Sequence, residues 1–64
     1  MEKITKDMII GDILAEKPDL AQVFFAHGMM CIGCPASRGE SVQDACAVHG
    51  IDADALTDAL NEAL

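Results

Sequence analysis

The sequence predicts an all-α fold: a compact bundle of four to five short helices with a Cys-x-x-Cys loop in the middle of the chain. Three observations carry this. Apolar residues recur at helical spacing in separate short stretches, Pro and Gly punctuate the chain between them, and side chains that cap helices stand where the stretches begin.

Ile10, Ile13, Leu14 and Lys17 fall at i, i+3, i+4 and i+7, so the first helix buries one face and the stem of Lys17 completes its stripe. Pro18 stops it, because proline lacks the N–H that a helix interior needs, yet it suits a first turn. A second helix is therefore expected over about 18 to 27, with Leu20, Val23, Phe24 and His27 inward and Gly28 as its left-handed end. Gly28, Gly33 and Pro35 then make a loop of the uncharged run from Gly28 to Ala36. Ser41 with Asp44 has the form of a capping box, which opens a third helix from Val42 to His49 with Val42, Ala45, Cys46 and His49 as its stripe and Gly50 as its stop. Asp52 caps a last helix with Ala55, Leu56, Ala59, Leu60 and Ala63 inward. The segments Val23–Met29 and Asp44–Ile51 both run through His-Gly to an apolar residue. That likeness follows from helix-end physics and is not read as a repeat.

The chain of 64 residues is one domain, 1–64, too short for a dinucleotide fold or a barrel and for a large private active-site cavity. Such a chain buries only about 60% of the surface its unfolded form exposes, so a staple of some kind is expected. Eleven acidic against four basic residues give a net charge of −7, with Glu40, Asp44, Asp52, Asp54, Asp58 and Glu62 crowded beyond Arg38. Nucleic acid and anionic membrane are poor partners for that surface. No apolar run is long enough to span a bilayer and the start lacks the apolar stretch of a signal peptide, so a cytoplasmic location is expected. Three cysteines, an odd count, point in a reducing compartment to redox or metal chemistry.

Cys31-Ile32-Gly33-Cys34-Pro35 is the strongest chemical signal, since two intervening residues bring the sulfurs within reach of one disulfide or one metal ion. Either use needs thiolate. From Leu20 through Gly39 there is no carboxylate, only Arg38 and the titratable His27, so the local charge favours it. Pro35 removes a backbone donor, and modest activation by Arg38 or His27 is expected in place of helix amides. Two apolar fillers in a turn is the blander reading. Cys46 and His49 extend the pattern to Cys-x2-Cys-x11-Cys-x2-His, four candidate ligands for zinc. A Cys between two alanines is more often a core residue, and a helix-end His more often a cap, so core packing is the preferred role of Cys46. Three thiolates fall one short of a cubane cluster, which would need an open iron site or a second chain. Met29 and Met30 are expected to pack or dock rather than to ligate.

The runs Ile4-Thr5-Lys6-Asp7-Met8, Gly11-Asp12-Ile13-Leu14, Pro18 through Phe24, Gly28, Cys31-Ile32-Gly33-Cys34-Pro35, Glu40-Ser41, His49-Gly50-Ile51-Asp52 and Leu60-Asn61 together resemble the hybrid-cluster-protein-associated redox disulfide domain. This is a domain-of-unknown-function family of short proteins, mostly from anaerobic bacteria and archaea. The resemblance covers nearly the whole chain and implies a small helical fold with a redox thiol pair at Cys31 and Cys34, Gly33 and Pro35 included. Cys46 departs from it, standing where a small residue such as Ala is expected. The His-Gly-Ile-Asp segment is also similar to the N-terminal part of iron–sulfur repair proteins.

The favoured expectation is a thiol–disulfide module without bound cofactor, not a stand-alone enzyme, which exchanges electrons with a partner protein that lands on the uncharged loop. A module binding zinc or an iron–sulfur cluster through Cys31, Cys34, Cys46 and His49 is the alternative. A helical adaptor with packed thiols is the third. The chain is expected to be a monomer or a weak homodimer.

Overall fold

The structure, a computed structural model, describes residues 2–29 and 38–64. Its helices are α1 (Ile10–Glu16), a 3-10 turn (Pro18–Leu20) leading into α2 (Ala21–Ala26), α3 (Val42–His49) and α4 (Ala53–Glu62). The fold is all-α. The expected second helix divides into two pieces for a local reason. Lys17, the residue before proline, is pushed out of the helical region to φ −132°, and the Leu20 N–H closes a tight turn on the Lys17 carbonyl at 3.0 Å before α-helical bonding begins.

Helix ends follow the side chains at them. Asp44 N–H donates to Ser41 Oγ at 3.1 Å, while Asp54 and Ala55 N–H groups donate to Asp52 Oδ1 at 3.0 and 3.2 Å. Gly28 (φ 93°) and Gly50 (φ 68°) take left-handed backbone conformations at the ends of α2 and α3. After each, an apolar residue turns back: Met29 N–H reaches the Phe24 carbonyl at 3.0 Å and Ile51 N–H the Cys46 carbonyl at 2.9 Å. The likeness of the two His-Gly segments is thus one helix-stop device used twice.

A repetition does exist, in another register. Helix starts Ile10 and Val42 lie 32 positions apart, as do Ala21 and Ala53. Within that register Ile10 matches Val42, Ile13 matches Ala45, Leu14 matches Cys46 and Phe24 matches Leu56, and all eight are buried. Pro18 and Gly50, which stand between the helices of each half, are also equivalent. An antiparallel bridge joins the equivalent residues Ile9 and Ser41. Its hydrogen bonds exchange symmetrically: Ile10 N–H donates to the Glu40 carbonyl at 3.0 Å and Val42 N–H to the Met8 carbonyl at 3.0 Å. The start of each helix is thereby satisfied by the segment entering the other, and α2 packs on α4, its counterpart.

The core gathers Ile4 from the entering segment, Met29 after α2, and the inner faces of the helices. Several residues expected inward stand elsewhere. Lys17, His49, Ala55 and Ala63 are exposed, since each lies at a helix end or at the margin of a stripe that Leu14, Cys46, Leu56 and Leu60 already fill. Val23, His27 and Ala59 are half-buried. The amino-terminal segment is held by Asn61 of α4, whose side-chain amide accepts from Ile4 N–H at 2.7 Å and donates to the Ile4 carbonyl at 3.0 Å.

Candidate functional site

Cys31, Gly33, Cys34 and Pro35 lie outside the described residues, and so does Met30. The residues nearest in sequence that the structure does describe are firmly seated. Met29 is fully buried in the core with its N–H on the end of α2. On the other side, the backbone of Arg38 passes so close to α1 that a Cβ on Gly11 would come within 2.9 Å of the Arg38 carbonyl oxygen. Gly11 is the residue type that this approach requires.

Cys46, the third thiol, sits on α3 with 1% of its surface exposed, packed within the core cluster, and it is a free cysteine. Burial pushes its thiol pKa up, and the Asp52 carboxylate adds to the rise by disfavouring a second negative charge nearby. A thiol that is dry, protonated and enclosed is a poor nucleophile and a poor ligand. These are the surroundings of a packing residue, in line with the core role preferred from sequence. His49, one turn along α3, points the other way in accessibility: it is exposed at the helix end. Among the described residues no group of three or more His, Cys, Asp or Glu side chains converges as a metal site.

His27 is half-buried at the end of α2, where its N–H bonds to the Phe24 carbonyl at 3.2 Å, and Arg38 is exposed. Sequence reasoning did not single out two other features. One is the Asn61–Ile4 pairing, whose partners are 57 positions apart and carry no shared local signal. The other is a set of carboxylates beside α1, which the i, i+4 spacing of Asp12 and Glu16 could have flagged. No helix among the described residues is long and apolar enough to cross a membrane.

A family model described as "Domain of unknown function (DUF1858)" matches residues 4–57. Among solved structures, the chain is similar to a protein from Clostridium thermocellum determined in solution by NMR. The two are 62% identical, with 94% of this chain and 86% of that chain covered, and superpose with a TM-score of 0.84. The search of curated proteins finds no match.

Proposed function

The chain belongs to the DUF1858 family, and from that premise we propose that it is a small thiol–disulfide redox module whose working pair is Cys31 and Cys34. The observation that carries the proposal is the Cys-x-x-Cys pair itself, set in a stretch from Leu20 to Gly39 that holds no carboxylate although the whole molecule carries −7. Cys46 supports it from the other side. With the third thiol buried and its pKa raised, exchange chemistry falls to the other two. The resemblance to the redox disulfide domain names the same pair.

The exchange balances as a two-electron transfer. The Cys31 thiolate attacks a disulfide of a partner protein, forming a mixed disulfide and releasing one partner thiolate. The Cys34 thiolate then attacks the Cys31 sulfur, closing the Cys31–Cys34 bond and releasing the second partner thiolate. Two electrons pass to the partner, and the two thiol protons of the module end on the partner's sulfurs. Exchanging the roles of the two cysteines leaves the balance unchanged. Arg38 and His27 are the groups nearby in sequence able to favour thiolate. The module acts with a disulfide-bearing protein in a reducing compartment such as the cytoplasm, as a monomer or weak homodimer, and not as an enzyme on its own.

Anaerobic titration against glutathione buffers tests this. The expected result is one reversible two-electron transition with a midpoint between about −350 and −150 mV, lost in Cys31→Ser and in Cys34→Ser and kept in Cys46→Ala. Absence of the transition in the native chain overturns the proposal. If chelator-free protein instead carries one metal per chain and loses helix in EDTA, metal binding through Cys31, Cys34, Cys46 and His49 takes its place.

A further inference from the structure

A groove of about 580 Å³ runs beside α1 and the segment that enters it. Its floor is apolar, made by half-buried Met8 and Ile9 over the fully buried Ile13 of the core. Its rim is acidic. Asp7, Asp12 and Glu16 line it, and no basic residue does. Asp12 and Glu16 stand one turn apart on the exposed side of α1. The Asp7 carboxyl accepts a bond from the Thr5 hydroxyl, which holds it below the usual carboxylate range and keeps it charged. Lys6, next to Asp7, is committed to Asp54 at 2.7 Å, and Lys17, next to Glu16, is exposed and does not line the groove.

The chemistry of the lining selects the occupant. A small cation would use the carboxylates and leave the apolar floor wet, while a wholly apolar chain would strip water from the rim with nothing in return. A second copy of this chain brings −7 of its own to an acidic rim and is repelled. A segment bearing both aliphatic and cationic side chains satisfies floor and rim together. We propose that this groove docks a basic amphipathic segment of a partner protein, with an aliphatic side chain on Met8 and Ile9 and Lys or Arg side chains reaching Asp7, Asp12 and Glu16. The docking surface does not depend on the thiols.

The test is an NMR titration of the isotope-labelled full chain with a short capped peptide built only of Leu and Lys, against a counterpart built of Leu and Gln. The expected result is saturable binding of the Lys peptide with shift changes concentrated at residues 7–16. Asp12→Asn with Glu16→Gln should weaken that binding about fivefold to tenfold, while Asp58→Asn with Glu62→Gln on α4 leaves it unchanged. Four outcomes overturn the proposal: no saturable binding, equal binding of the Gln peptide, equal weakening by the α4 pair, or shift changes at residues 7–16 on dilution without peptide, which would assign the groove to self-association.

Discussion

At the scale of single residues, the thiol of Cys46 makes a prediction about pH. Its folded-state pKa is raised above the ordinary 9.0, so the folded state holds the proton where the unfolded chain releases it. The stability this contributes is full below pH 9.0 and is lost as pH rises from there through the folded value. Denaturant melts of the native chain and of Cys46→Ala between neutral pH and about pH 10 should show a steeper fall for the native chain. Lys6, whose pKa is raised above the ordinary 10.5 by its hydrogen bond to Asp54, keeps its charge over this range and does not account for the difference. Asn61 makes a second prediction. Its amide replaces a missing backbone partner for both the N–H and the carbonyl of Ile4, so Asn61→Ala leaves two polar groups of a buried residue unmatched. The expected loss is about 1–3 kcal/mol, read as a drop of about 4–8 °C per kcal/mol in the thermal midpoint. Asn61→Asp should be no better, because it sets a carboxylate oxygen against the Ile4 carbonyl.

At the scale of elements, the two left-handed glycines and the one crowded glycine separate by mechanism. A Cβ on Gly28 or Gly50 meets open space, so Gly28→Ala and Gly50→Ala should each cost only the backbone strain, about 1–2 kcal/mol. Asn, which tolerates that conformation, should recover part of the loss at Gly50. Gly11→Ala is a different case: the gain in helix propensity, about 1 kcal/mol, is opposed by contact with a backbone oxygen that has no rotamer to escape into. Thermal melts should show net destabilisation there as well. The ends of α3 and α4 were legible in the sequence because Ser41, Gly50 and Asp52 act on backbone groups within three residues of themselves. The division of the second helix was not read, since it turns on how proline constrains Lys17 rather than on apolar spacing. The inward placement of His49 and Ala63 failed for a related reason. Periodicity says which face a residue shares, but not whether the core extends as far as the helix end.

At the scale of the whole molecule, the two halves hold each other through pairings that no local pattern announces. The Ile9–Ser41 bridge and the packing of α2 on α4 join equivalent places 32 positions apart, yet between Ile10–Ala26 and Val42–Asp58 only Asp12, Ala15 and Ala21 recur in kind. What is shared between the halves is burial, not identity, so the 32-position register carries no signal in the residue types, while the His-Gly likeness is the helix stop that the sequence indicates. The candidate pair was legible as a motif because the Cys-x-x-Cys spacing puts two sulfurs within reach of one disulfide or one metal ion; its geometry lies outside the described residues. The core accounts for the third thiol, and the proposed redox role rests on the first two. Alkylation of the native, reduced, metal-free protein with a small reagent, read residue by residue in a mass spectrometer, tests that division most directly. Rapid labelling of Cys31 and Cys34, with Cys46 labelled only after unfolding, is the predicted result; Cys31 and Cys34 remaining as unreactive as Cys46 would contradict it.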